Sequence, residues 1–313
     1  MGPVEPARVE PARVELAGFG EAMALFESES LETAPAVTAH VAGAELNVCA
    51  AAARLGVASA FCGRVGEDPL GGRVRRELAR LGVRDLLDTD AQRPTGLFLK
   101  EIRPDGQRRV FYYRSGSAAS ALDDRDVDRL LATGPGLVVA SGITAALGPG
   151  PRAAVLTLAR RADLAFDPNL RPALGSLAAQ VETARAVVPL ARYLLLGLDE
   201  AELLFGTPDP YKILVESPAE TVLKAGPEGC FYLHDNGTLA HLGSHAERVV
   251  DPVGAGDAFA GGYLAARLRG ATRAGAAWLG SRLAAGVVAM PGDTTGLPTP
   301  DVAAALLAEA LAL

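Results

Sequence analysis

The chain has 313 residues, 49% of them hydrophobic and 21% charged, with a net charge of −7 and an isoelectric point near 5.3. That length suits one large α/β domain or two ordinary ones, and the acidic balance disfavours broad nucleic-acid binding, which needs a basic face to displace counterions. Three scattered cysteines without a CxxC pair argue against a disulfide scaffold or a structural zinc site, and no apolar run reaches the ~18–20 residues of a membrane span. With no hydrophobic leader at the N-terminus, the expected compartment is the reducing cytosol.

The first segment carries a five-residue repeat, "VEPARVEPARVE" (4–15), rich in proline and read as a flexible extension over 1–13. "VELAGFG" (14–20) then reads as a buried strand. "ELNVCAAAARLG" (45–56) and "DPLGGRVRRELARLG" (68–82) read as amphipathic helices with glycine stops. Strand-like apolar runs follow at 136–142, 162–169, 192–197, 220–226 and 245–251, most of them separated by helical stretches. Such alternation predicts a largely parallel sheet covered on both faces. Its ligand crevice lies at the carboxyl ends of the strands, which points to Asp167, Asn169, Lys224 and Asp251. One region departs from the pattern. "TGLFLKEIRPDGQRRVFYYRSGSA" (95–118) reads as two strands around an "RPDGQ" turn. Together with "EAMALFES" (21–28) it predicts a small separate sheet inserted as a lid.

The chemistry concentrates in "DPVGAGDAFAGGY" (251–263). A strand is expected to end near Asp251 and a helix to run on from the glycines. Unpaired N–H groups and the helix dipole would then favour an anion. Gly254 and Gly256 allow a phosphate to approach the backbone. Asp257, in the first turn, can face the same spot. A carboxylate beside a phosphate needs compensation, which a bound Mg²⁺ and a substrate hydroxyl both supply. The carboxylate can orient that hydroxyl and take its proton while the amides stabilise the transferring phosphoryl group. The plainer alternative is a turn followed by an ordinary first-turn aspartate. A dinucleotide-dependent oxidoreductase is disfavoured, because "GFGEAM" after the first strand lacks the third glycine of GxGxxG.

"DPVGAGDAF" closely resembles the D-[TP]-x-G-A-G-D-x-F pattern of the ribokinase-like, or phosphofructokinase-B type, carbohydrate kinases. The similarity runs over about residues 14–300 and includes "GAELNVCAAAARLG", "FDPNLR", "DEAELLFG" and "TVLKAGPEG". Within the family, "AGAELN" (42–47), "RRVFYYRSGSA" (108–118) and "ASGITAALG" (140–148) are most similar to 2-keto-3-deoxygluconate kinases. The resemblance implies a ribokinase-like three-layer α/β/α fold over 14–313, with a mostly parallel central sheet and a small β-sheet lid drawn from about 21–45 and 93–118. It implies an ATP- and Mg²⁺-dependent sugar-acid kinase of the Entner–Doudoroff type.

By that resemblance Asp257 is the catalytic base, and the amides of Gly254, Ala255 and Gly256 form an anion hole. Tyr112, Arg114 and Arg171 surround the acid, while Gly43, Asn47, Ile143 and Asp293 lie near the sugar. Arginine also suits this role chemically, because its fork can donate two bonds to a carboxylate. Lys224, Gly226 and Gly229, with Gly254 and Gly256, would bind nucleotide, and Glu200 and Asp251 would act on the metal indirectly, through water or phosphate. The resemblance further implies a monovalent cation near Asp251 and the "PGD" segment (291–293), and homo-oligomers paired through the lid. Two positions depart from the family pattern: Gly197 stands where an asparagine is usual, and Ala42 where a glycine is. A neutral-sugar kinase such as a fructokinase, and a catalytically silent sugar- or nucleotide-binding relative, remain as alternatives.

Overall fold

The computed structural model describes residues 13–103, 105 and 107–313. The N-terminal extension before residue 13, and Pro104 and Gly106 of the expected "RPDGQ" turn, lie outside these. Among the described residues, thirteen strands are arranged in two sheets. In chain order they are β1 (Leu16–Phe19), β2 (Met23–Ser28), β3 (Thr38–Ala42), β4 (Ser59–Gly66), β5 (Arg84–Asp90), β6 (Leu97–Ile102), β7 (Arg108–Tyr113), β8 (Leu137–Ser141), β9 (Leu164–Asp167), β10 (Tyr193–Gly197), β11 (Glu220–Lys224), β12 (Cys230–Leu233) and β13 (Leu239–Leu242).

The large sheet has the order β13-β12-β11-β10-β9-β8-β1-β4-β5. It is parallel from β11 to β5 and ends in an antiparallel β12–β13 hairpin. Its central strands are continuous apolar runs because both faces are covered. Successive residues alternate between two cores. Leu16, Leu137, Val139 and Leu195 face one with helices Ala44–Arg54, Ala255–Leu268 and Arg273–Val288; Ala17, Phe19, Val138, Ala140 and Leu196 face the other with helices Asp124–Leu131, Pro149–Arg161 and Leu177–Val187. Each large aliphatic or aromatic side chain so buried contributes about 1.5–3 kcal/mol. No helix among the described residues is long and apolar enough to cross a membrane.

Local signals set the boundaries. Asp68 caps helix Pro69–Leu81 by accepting from Gly71 N at 2.8 Å, proline occupies the first turn, and Gly82 closes the helix with φ 72°. Strand β5, "RDLLDTD", is a polar edge strand without clear alternation, so pattern alone does not reveal it. The expected strand over 245–251 is absent. The segment is irregular, carries exposed Glu247 and Arg248, and is held instead by Val250 N and Asp251 N, both donating to Val288 O at 2.7 and 3.1 Å. The glycine turn at 254 therefore follows a loop rather than a strand.

The smaller sheet has the order β3-β2-β6-β7. Its own core is only Met23, Leu25, Ala42 and Phe98. Its far strand leaves Val110, Tyr112 and Tyr113 substantially exposed.

Candidate active site

A cleft of about 680 Å³ runs between the smaller sheet and the carboxyl ends of the parallel strands. It is lined by Gly43, Asn47, Tyr112, Arg114, Ile143, Arg171, Glu200, Lys224, Gly226, Gly229, the 254–257 segment and Asp293. Of the residues singled out from sequence, Asp251 alone does not line it.

Helix Ala255–Leu268 begins at the cleft floor, with Gly254 in the left-handed region at φ 80°. A side chain at Gly254 would be strained there, and its Cβ would lie 2.9 Å from the Asp293 backbone. Asp257 sits in the first turn, half-buried. Asn47 donates to Asp257 Oδ2 at 2.9 Å and to Asp293 Oδ2 at 3.2 Å, so one amide bridges two carboxylates. Burial pushes Asp257 up to about 7; Asn47 opposes the rise, Asp167 and Asp293 add to it, and Lys224 opposes it. A carboxyl with that value exchanges protons near neutrality, which suits a general base. Burial also raises Asp293.

Across the glycine turn, Lys224 at the end of β11 pairs with Asp167 at 2.5 Å. Burial by itself would lower the Lys224 ammonium, but Asp167, Glu200 and Asp257 outweigh it and hold it above its ordinary value. A methyl group built on Gly256 would lie 3.5 Å from Lys224 Nζ, which places that ammonium over the glycine turn. Glu200 accepts from Leu170 N at 2.6 Å and Gly197 N at 3.3 Å. Burial, with Asp167 nearby, raises it. Gly229 has a separate structural reason: its φ is 95° and a Cβ there would meet Leu242 O at 1.9 Å.

Asn169 follows β9 at φ 40°, in a region where non-glycine residues are uncommon. Its side-chain oxygen is buried, without a hydrogen-bond partner, and the residue lines the cleft. No cluster of three or more His, Cys, Asp or Glu residues able to hold a metal occurs among the described residues. A donor set of this kind fits Mg²⁺ held chiefly by phosphate and water, with one or two protein groups at its edge.

At the opposite end, Arg114 leaves β7 and is 7% exposed. It pairs with Glu21 Oε2 at 2.6 Å, and its guanidinium lies 5.8 Å from the Tyr112 ring centre. Arg114 Nε has no hydrogen-bond partner. Burial raises Glu21, although Arg114 and Ser117 oppose the shift. Ile143 is presented by the short turn Gly142–Ala145, whose Thr144 and preceding Ser141 both donate to buried Glu45 at 2.6 Å. Arg171 is exposed and borders the cleft. The departure at Ala42 borders the cleft while belonging to the small-sheet core. At Gly43 a Cβ would meet Glu21 O at 2.5 Å, so backbone approach alone demands glycine.

Asp251 is 1% exposed and paired with Lys100, itself 1% exposed; Arg108 Nε stands 4.0 Å away. The carboxylate thus reaches the smaller sheet, and its partner Lys100 in turn lines the cleft. Lys100, Glu21 and Glu45 are the polar residues that sequence reasoning passed over. The available signal for Lys100 was a charged residue on the inward face of a half-buried strand, two positions after Phe98.

The pfkB family carbohydrate kinase model matches residues 15–300. The chain is 34% identical to a 2-dehydro-3-deoxygluconokinase of Bacillus subtilis (strain 168) over 304 residues, covering 92% of this chain and 94% of that one. It is 36% identical to a 2-dehydro-3-deoxygluconokinase of Thermoproteus tenax, covering 86% and 85%. Among solved structures, a ribokinase II-type chain from E. coli in complex with ATP and Mg²⁺ shares the fold with a TM-score of 0.83 at 22% identity, over 94% of this chain and 99% of that one.

Proposed function

The chain belongs to the pfkB family of carbohydrate kinases, and from that premise we propose that it transfers the γ-phosphoryl group of ATP to the terminal (6-) hydroxyl of 2-keto-3-deoxygluconate, also called 2-dehydro-3-deoxygluconate. The observation that carries the choice of acceptor is Arg114. It is a buried arginine with an open donor, facing the same cleft as an aspartate whose carboxyl titrates near neutrality. A sugar acid supplies a second anion, for a donor that Glu21 leaves without a partner.

In this reading Arg114 and Arg171 hold the carboxylate, with Tyr112 against it, and Gly43, Asn47, Ile143 and Asp293 border the carbon chain. The far hydroxyl then lies toward Asp257. Asp257, as the carboxylate, takes the hydroxyl proton while the oxygen bonds to the γ-phosphorus and the bond to the β-phosphate oxygen breaks. The amides of Gly254, Ala255 and Gly256 face the charge that develops on the phosphoryl oxygens. Lys224 lies beside them against the phosphates, and Gly226 and Gly229 border the nucleotide. Glu200, Asp167 and the open oxygen of Asn169 would hold Mg²⁺ through water and phosphate. That ion, when bound, neutralises charge on the β- and γ-phosphates. The smaller sheet excludes water, the competing acceptor.

The same reading puts the protein in the reducing cytoplasm, consistent with three free, buried cysteines, within sugar-acid breakdown of the Entner–Doudoroff type. It takes the exposed Val110 and Tyr113 of the smaller sheet as the surface through which copies pair. The test is coupled ADP release with Mg²⁺-ATP, comparing kcat/KM for 2-keto-3-deoxygluconate, fructose and ribose. A strong preference for the acid is expected. Preference for a neutral sugar would keep Asp257 and discard the carboxylate roles of Arg114 and Arg171.

A further inference from the structure

The loop that leads into the anion hole is anchored by the smaller sheet. Lys100 of β6 and Asp251 are each 1% exposed and in direct contact, and Glu27 Oε2 of β2 stands 3.3 Å from the same ammonium. From β7, Arg108 donates to Val250 O at 2.9 Å. Asp251 in turn accepts from Val253 N at 3.2 Å, one residue before Gly254. A carboxylate this deeply buried is costly unless a cation meets it. The ammonium that meets it comes from the smaller sheet, 151 residues away in the chain.

We propose that Lys100 is a positioning residue for phosphoryl transfer: its ammonium fixes Asp251, and through Asp251 the 254–256 amides, so that the anion hole is fully assembled only when the smaller sheet is docked. The inference deepens the kinase reading above and rests on it. Strands β6 and β7 also carry Phe98, Tyr112 and Arg114 toward the acid end of the cleft. An acceptor that seats Arg114 therefore seats Lys100 as well, and acceptor binding is coupled to preparation of the phosphate site. The charge beside Asp251 belongs, in this account, to Lys100 and not to a monovalent cation from solution. Lysine suits the place because its charge is a compact point with three donors, able to meet Asp251 and Glu27 together.

Lys100→Met removes the charge and keeps most of the volume. A small displacement of catalytic donors costs rate on a scale of up to about 100-fold, so kcat should fall by about 10- to 100-fold, while KM for the acceptor stays within severalfold. In Lys100→Ala, which leaves space where the ammonium stood, ammonium or methylammonium chloride should restore part of kcat, whereas tetramethylammonium chloride at equal ionic strength should not. Lys100→Arg, which keeps the charge, should retain more rate than Lys100→Met. Independently of turnover, amide hydrogen exchange over 252–257 should quicken in Lys100→Met, with central strands β8 to β10 unchanged. Unchanged kcat, or a loss of rate with neither faster exchange in that loop nor recovery by small amines, would overturn the proposal. If Lys100→Met does not fold, the double variant Lys100→Met/Asp251→Asn removes both buried charges together. That variant should fold and remain slow, and parental turnover by it would equally overturn the proposal. The assay uses whichever acceptor the parent phosphorylates. Failure of the parent with the sugar acid therefore counts against the substrate reading alone, and the exchange result stands apart from both.

Discussion

The two ends of the cleft are made of different material. In the proposed reading, the groups at the phosphate end are backbone amides, short side chains and Lys224, at the ends of a nine-stranded sheet and of helix Ala255–Leu268, both rooted in the main cores. At the other end, Tyr112 of β7 and Arg114 just past it come from a four-stranded sheet whose own core is four residues, and Arg171 alone follows a strand of the large sheet. Donors that must meet a transition state within a fraction of an ångström gain from a rigid base. A surface that must admit an acceptor and then cover it gains from shallow anchoring, which leaves it free to open. On the proposed reading, chemistry and most of acceptor choice fall on parts of the molecule with cores of very different size, joined by the Lys100–Asp251 contact.

The sharpest way to break this division is at Asp257. Asp257→Asn should lower kcat by about 10²- to 10⁴-fold, the usual scale for a lost general base, and by the same factor for acid and neutral acceptors. A loss confined to one acceptor would show that the phosphate end also sets specificity, and turnover within severalfold of the parent would remove Asp257 as the base. Gly254→Ala comes next. Its φ of 80° and a Cβ 2.9 Å from the Asp293 backbone force the turn to move, so kcat should drop by about 10-fold or more for every acceptor, with KM for the sugar acid little affected. Acidification tests the same group without mutation. The base acts as a carboxylate and titrates near 7, so kcat/KM should be flat above that pH and fall about tenfold per unit below it. A profile flat down to pH 5 would contradict the burial argument for Asp257. The smallest effect is expected at Gly197. Its φ of −71° accepts any residue, and a side chain there meets the carboxylates of Asp199 and Glu200, at 2.6 and 3.2 Å, rather than backbone. Gly197→Asn should change KM for Mg²⁺-ATP by no more than severalfold and leave the acceptor KM unaltered.

The contrast between the two ends also explains what was legible in the sequence. The 254–257 turn and its helix are local, so spacing and residue type point to them directly. The buried strands β1, β8, β9 and β10 announce themselves as short apolar runs. Polar edge strand β5 does not, and the apolar end of "HAERVVD" suggested a strand where the chain is irregular. The side-chain pairs at the acid end were out of reach. Glu21–Arg114, Glu45–Thr144 and Lys100–Asp251 join residues 93, 99 and 151 positions apart, and no periodicity encodes such a meeting. Asp251 shows the consequence. Its place in the motif suggested a role toward the metal, and nothing in the motif announced that its ion-pair partners, Lys100 and Arg108, come from the smaller sheet.

The account rests most heavily on Arg114 as the reader of the acceptor's carboxylate. The direct measurement is kcat/KM for 2-keto-3-deoxygluconate and for fructose, in the parent and in Arg114→Ala, with a melting curve for each protein because Glu21 is left unpaired. Loss of a charge-assisted pair predicts a fall of about 10- to 100-fold for the acid, carried by KM, and little change for fructose. Equal losses for both sugars, or an unchanged value for the acid, would contradict it.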